Sequence, residues 1–273
     1  KHLEKVFDGI NFVKYKDISV LADKSFDVIL HCATYGQPLM YTSNQMDTLE
    51  LNTADQFKLL KKLKPNGYYG FISSSDVYSG NYNFPLSEVE LGVSDPWSDR
   101  ACYFEGKRAG EAIINSAVQS GINAKAFRLA LGYGAGFSRD DQRVLYQFVK
   151  AAKTEGFIKM RDSGAAMRTY GSLVDCARMI ILGLLEGKQS VYNVGGTSRC
   201  SILDLANEIG RISGVEVSAG PESPESKILQ AAPSDVWLDL TRILSEFPIE
   251  LETLEKGLTR VFSWADQPNF LNK

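Results

Sequence analysis

Four short apolar runs separated by helical patterns constrain this chain more than any other feature. They are Asp27-Val28-Ile29-Leu30-His31-Cys32-Ala33, Tyr69-Gly70-Phe71-Ile72-Ser73-Ser74, residues 124–131 and Val191-Tyr192-Asn193-Val194, with Asn11 to Lys14 a weaker fifth. Runs this short and continuous read as strands covered on both faces, and parallel strands need helical crossovers between them. The intervening patterns supply those crossovers. Helices are expected over 46–63 (with Leu49, Phe57 and Leu60 on one side), 102–120 closed by Gly121, 140–154, 174–186 and 201–212. Pro65-Asn66-Gly67 is expected to stop the first of these, and Gly132 to Gly136 to form a loop. A long polar loop is expected from Tyr78 to Ser98, and a second, rich in Pro, Ser and Glu, from Pro221 to Ser226. The fold class is therefore α/β, a mostly parallel sheet covered by helices.

Composition excludes several functions. The chain has 273 residues, enough for a main domain carrying a smaller lobe. Its net charge of -3 and pI near 5.6 leave no global basic field for nucleic acid or an anionic membrane. Lys61, Lys62 and Lys64 read as the solvated end of a helix. Cys32, Cys102, Cys176 and Cys200 form no CxxC pair, and His2 and His31 are the only histidines, so no metal site is expected. A reduced, cytoplasmic compartment is the simplest expectation. No run approaches the roughly 18 apolar residues of a membrane span, and the opening lacks the apolar core of a secretion signal.

Tyr103 and Lys107 are the chemical candidates. Four residues apart in a helical context, they share one face, one turn from each other. A tyrosine hydroxyl, with a reference pKa of about 10, is a poor base at neutral pH, and a nearby ammonium favours its phenolate. Ser73, Ser74 and Ser75, at the end of a predicted strand, are three hydroxyls that could orient a reacting oxygen.

Six segments in order then resemble the extended short-chain dehydrogenase/reductase family, particularly its nucleotide-sugar epimerases, dehydratases and ketoreductases. Phe26 to Ala33 resembles the strand beneath the cofactor, and Ser73 to Tyr78 resembles the Ser-rich strand end. Tyr103 to Lys107, with Gly110-Glu111 trailing, is similar to the catalytic pair. Arg128 to Gly134, Arg168 to Asp175 and Tyr192 to Gly196 complete the series. The resemblance implies a Rossmann-like parallel sheet, with residues 1–131 as an incomplete cofactor domain and 132–273 as mainly a substrate lobe whose segments return to the core.

It also implies roles. Tyr103 would be the acid/base; Lys107 would lower its pKa and hold the cofactor ribose; Ser74 would hydrogen-bond the sugar oxygen. Ala33, Ser73 and Leu131 would line NAD or NADP. Ser75, Phe104 and Arg168 would face a nucleotide-diphosphate sugar, Arg168 through bidentate contact with phosphate. A homodimer built on the helices flanking the catalytic pair is expected by the same likeness.

Three departures shape the reading. Dehydratases of the family carry an Asp-Glu pair after the active hydroxyl, where this chain has Ser75-Asp76, so epimerase or 4-ketoreductase chemistry is preferred. The family's second arginine, before Pro-Gly-Asp, has no counterpart in Ala232-Pro233-Ser234-Asp235. Phe104-Glu105-Gly106 stands where smaller residues are usual, and the Phe104 ring is expected either to narrow the sugar pocket or to face the core.

The Gly-rich turn that cradles a dinucleotide pyrophosphate is not found before the Asp27 strand. The first strand-turn-helix unit is thus expected to be missing from this sequence, leaving the His31 strand with unpaired backbone and exposed apolar side chains. The alternative is a noncatalytic ligand-binding or structural protein with a degenerate form of this fold.

Overall fold

The computed structural model describes residues 18–21, 24–137, 141–220 and 235–266. The expected strand at Asn11 to Lys14, His2, the loop from Pro221 to Ser226, and Ala232 to Ser234 lie outside the described residues.

After a short 3-10 turn at Ile18–Leu21, β1 spans Phe26–His31 and leads into three short helices, α1 (Pro38–Ser43), α2 (Gln45–Asn52) and α3 (Ala54–Leu60). β2 (Leu63–Ser74), α4 (Ala101–Gln119) and β3 (Asn123–Leu129) follow. Next come β4 (Leu131–Tyr133), α5 (Val144–Thr154), β5 (Phe157–Lys159), β6 (Met167–Ser172), α6 (Leu173–Glu186), β7 (Val191–Val194) and β8 (Ser198–Ser201). The described chain ends with α7 (Ile202–Ser213), β9 (Glu216–Ser218), α8 (Thr241–Glu246) and α9 (Leu254–Ala265).

β1, β2, β3 and β7 make one sheet in that order, every pair parallel. Between β3 and β7 the chain leaves this sheet to build β4 and β6, which together with the later β8 form a second sheet, and β5, which pairs with the later β9. The main sheet buries Tyr69 and Phe71 of β2 and Phe127 of β3, with Ile114 and Ala117 of α4 on one side and Met179 and Leu184 of α6 on the other. Another core gathers α5, α7 and α9 around Val149, Leu205, Ile209 and Leu258. Capping is local and strong at α7, where Ser201 and Asp204 form a reciprocal capping box and Gly214 ends the helix in the left-handed region.

On β1, Val28 and Leu30 are 48% and 42% exposed, in keeping with the exposed apolar side chains expected on this strand. Its pairing with β2 slips at the start: Phe26 faces Leu63, yet Val28 already faces Tyr68. Pro65-Asn66-Gly67 sits in that irregular stretch, with Asn66 at φ +62°, so it marks the entry to β2 rather than the end of the helix before it.

Four expectations are corrected by packing. The helix expected over 46–63 is two helices broken at Thr53, and Phe57, assigned to its inner side, is 55% exposed. The buried side is polar instead: Thr48, Asn52 and Gln56, each four residues on, lie against α4. Thr48 Oγ1 donates to Asn44 O, Asn52 Nδ2 to Thr48 O and Gln56 Nε2 to Asn52 O, each at 2.7 Å, so these side chains bond back to carbonyls four residues earlier as they are buried. The strand expected to run to Leu131 leaves the main sheet at Ala130, and Leu131 opens β4 in the second sheet. Gly132, placed in a loop, is therefore paired in a strand, opposite Gly171. Finally, α5 begins at Val144, because Asp141 folds back on Arg143, accepting from its backbone N–H and its guanidinium.

Candidate active site

β2 ends at Ser74, and the chain turns at once into a 3-10 helix, Ser75–Tyr78. Ser74 caps that turn, its hydroxyl accepting from the Asp76 N–H at 3.1 Å. α4 runs beside this strand end and brings Tyr103 and Lys107 to it. A helix can approach so closely because Gly110 faces the sheet; a Cβ there would stand 2.6 Å from the Phe71 ring.

A buried ion pair fixes the approach. Arg128 of β3 donates Nε to Glu111 Oε1 at 3.0 Å and Nη2 to Oε2 at 2.8 Å, tying the sheet to α4. Arg128 Nη1 also reaches the Tyr78 hydroxyl at 2.8 Å, which in turn donates to Asn193 Oδ1 at 2.7 Å. The same Glu111 accepts the Ser73 hydroxyl at 2.6 Å. Ser73, expected to line the cofactor, thus directs its side chain into the scaffold and is buried.

Lys107 is only 2% exposed. Its ammonium donates to Ile72 O at 2.6 Å and lies 4.7 Å from the centre of the Phe71 ring. Burial holds its pKa down to about 7, with charge from Cys32 and Glu111 pulling the other way. The same nitrogen is 5.8 Å from the centre of the Tyr103 ring. Burial pushes the Tyr103 phenol above its ordinary value and the Asp76 carboxylate adds to that; the Ser74 hydrogen bond and the Arg100 guanidinium pull it back. Ser74, Tyr103 and Lys107 are therefore brought together at the end of β2.

Two residues that sequence reasoning passed over complete the group. Tyr41 of α1 stacks on Tyr103, ring centres 4.6 Å apart and planes 13° from parallel. Arg100, just before α4, donates Nε to the Tyr41 hydroxyl at 2.9 Å and Nη2 to Asp76 Oδ2 at 2.8 Å. The one available signal was Arg100 standing three residues before Tyr103, a spacing that returns to the same helix face.

Beside this group opens a cleft of about 480 Å³, lined by Ser75, Tyr78, Tyr82, Arg100, Phe104 and Asp235 among others. Phe104 is buried and is also among the residues that line the cleft. Arg168 of β6 donates to Met167 O at 2.7 Å. Burial holds its guanidinium below the ordinary value, and the charges of Asp235, Arg100 and Asp76 all act on it, which places it at the same end of the molecule. Asp235 is ion-paired with Arg199. Ala33, one position beyond Cys32 at the end of β1, is exposed, whereas Leu131 packs against the core of α5, α7 and α9.

Among the described residues, no group of three or more His, Cys, Asp or Glu side chains could hold a metal ion, and no helix is long and apolar enough to cross a membrane.

A parallel α/β sheet with a Tyr-Lys pair on the helix after its second strand, facing a serine at that strand's end, defines a Rossmann-like protein of the extended short-chain dehydrogenase type. Residues 12–195 match the family described as "NAD dependent epimerase/dehydratase family", and the chain belongs to it. Among curated proteins it is 29% identical over 196 residues to UDP-glucuronic acid decarboxylase 1 of Xenopus tropicalis, covering 70% of this chain and 47% of the relative. It is 26% identical over 212 residues to UDP-glucuronic acid decarboxylase 6 of Arabidopsis thaliana, covering 77% and 60%. The chain thus spans about half to three fifths of these relatives. Among solved structures it resembles the UDP-glucose 4-epimerase of Thermotoga maritima with UDP-glucose, with TM-score 0.78 and 19% identity over 90% of this chain and 79% of that one. It also resembles the UDP-glucuronic acid 4-epimerase of Bacillus cereus in complex with UDP-glucuronic acid and NAD, with TM-score 0.72 and 22% identity over 92% and 78%. At these identities the structures show the fold.

Proposed function

We propose that the protein is an NAD(P)-dependent epimerase or 4-ketoreductase acting on a nucleotide-diphosphate sugar, with Ser74, Tyr103 and Lys107 as its catalytic group. The observation that carries this reading is the convergence of those three side chains at one strand end, beside a cleft lined by Ser75, Arg100 and Phe104. The residues fit the nicotinamide-ribose half of a dinucleotide. A buried amine and a phenol stand side by side, and the small, exposed Ala33 leaves room at the end of β1. When bound, the cofactor would supply the hydride acceptor or donor.

In this reading the Ser74 hydroxyl hydrogen-bonds the C4 hydroxyl of the sugar, and the Tyr103 phenolate takes the proton of the sugar hydroxyl as its carbon is oxidised. The phenol returns the proton when the carbonyl is reduced. Lys107 holds the ribose and offers its charge to the phenolate, and Arg168 receives the diphosphate. Ser75 and Phe104 shape the sugar side of the cleft. The Asp76 carboxylate is tied to Arg100 at 2.8 Å, which supports setting aside the elimination of water.

A second reading comes from the curated relatives, which are decarboxylases. Oxidising C4 of a sugar bearing a C6 carboxylate makes a β-keto acid, which can lose carbon dioxide without any further catalytic carboxyl. The same Tyr103 chemistry opens both routes.

The test is to incubate the protein with the oxidised nicotinamide cofactor and either UDP-glucose or UDP-glucuronic acid, and separately with the reduced cofactor and a nucleotide-linked 4-keto hexose, and to read the sugar product by NMR. An inverted or reduced hexose supports the first reading, and a decarboxylated pentose the second. Tyr103→Phe should lower either rate by about 10²- to 10⁴-fold while circular dichroism stays unchanged. Near-parental turnover in that variant would sink the assigned mechanism.

A further inference from the structure

Tyr103 sits among charges that do not all favour its ionisation. Just before its helix is Arg100 and on that helix is Lys107, while Ser74 ends the neighbouring strand and Asp76 lies in the turn after it. On α1 is Tyr41, whose backbone carbonyl accepts from the Cys102 thiol, and on β6 is Arg168, whose charge also acts on Asp76. Among these, Asp76 is the one carboxylate that acts on the phenol; burial pushes its own pKa up, Arg100 pulls it back, and as an anion it opposes phenolate.

Arg100 stands between the two functions. One face of its guanidinium fork closes on Asp76 at 2.8 Å, and its Nε is held by the Tyr41 hydroxyl at 2.9 Å. Tyr41 is itself fully buried, with its ring flat against that of Tyr103. The arginine therefore has little freedom to leave the carboxylate, and the tyrosine that holds it also fixes the plane of the reacting phenol. Two long side chains and a ring are ordered here by burial, so the arrangement is preorganised rather than assembled on binding.

We propose that Arg100 and Tyr41 are positioning residues for Tyr103: Tyr41 braces the phenol ring, and Arg100, clamped by Tyr41, neutralises the Asp76 carboxylate so that its charge does not fall on the reacting oxygen. This rests on Tyr103 being the acid/base, but the electrostatic claim can be measured without substrate or cofactor.

The experiment replaces Tyr103 with 2,3,5-trifluorotyrosine, whose phenol is acidic enough to titrate in an accessible range, and follows its ¹⁹F shift against pH in the full chain. Arg100→Met should raise the midpoint by about one pH unit or more, a tenfold loss in the ionisation equilibrium. Asp76→Asn added to that variant should bring the midpoint back, because the charge being opposed is gone. Asp76→Asn alone should lower it, leaving Arg100 uncompensated, and this single variant stands as the test if Arg100→Met does not fold. Tyr41→Phe keeps the stacked ring but frees Arg100, and should give part of the Arg100→Met shift. A midpoint unmoved by Arg100→Met, a rise that persists after Asp76→Asn, or no fall in Asp76→Asn alone would overturn the proposal. Loss of helix packing alone would not be reversed by removing a carboxylate. Failure of the acid/base assignment would show separately, as undiminished turnover in Tyr103→Phe.

Discussion

Lys107 is a cation placed where water scarcely reaches it, and that has a cost that depends on pH. Its pKa in the folded chain is held to about 7, against an ordinary value of 10.5. Between those values the unfolded chain keeps a proton that the folded chain has released, so stability should rise as pH rises through that window. The slope is at most about 1.4 kcal/mol per pH unit. Lys107→Met should remove the slope; urea midpoints measured across the window in both proteins would show it, and parallel curves would refute the assignment. At this scale much of the site was legible. Tyr103 and Lys107 meet because four residues is one helical turn, and Ser74 meets them because it ends the neighbouring strand. The Ser73 hydroxyl was misplaced because its partner, Glu111, is 38 residues away. Tyr41, which shares the site with Arg100 59 residues on, carries no local pattern at all.

Elements here are held by closeness as much as by apolar area. α4 lies against β2 with nothing at Gly110 to hold them apart, and a Cβ at that position would meet both the Phe71 ring and Gln56 Nε2 at 2.6 Å. Gly110→Val should therefore destabilise the protein by about 1–3 kcal/mol through overpacking, in spite of the better helix propensity of valine. Denaturant unfolding would read this, and a variant as stable as its parent would mean that helix and strand do not approach so closely. The same closeness explains the misread inner face of α2 and α3. Apolar periodicity pointed to Phe57, but the surface facing α4 holds Thr48, Asn52 and Gln56, whose side chains are satisfied in part by backbone carbonyls four residues earlier. A polar stripe buried in this way has no signature in hydrophobic spacing.

For the molecule as a whole, the outer side of α2 and α3 leaves Met46 and Phe57 exposed, next to the helix that carries the catalytic pair. We propose that this face forms the homodimer expected from the family likeness. Phe57→Glu should then convert a dimer to a monomer in sedimentation velocity, and a monomeric parent protein would remove the proposal. What the sequence alone determined was the alternation of strands and helices, the parallel class of the sheet and the turn-spaced Tyr103-Lys107 pair. These depend on periods of two to four residues, which neighbours in the chain are enough to set. What only the tertiary structure decided was where the chain leaves one sheet for another at Ala130, which helix faces are polar inside, and which cation answers the carboxylate beside Tyr103. Those outcomes depend on contacts between residues far apart in the chain, formed as the elements pack, and no local period encodes them.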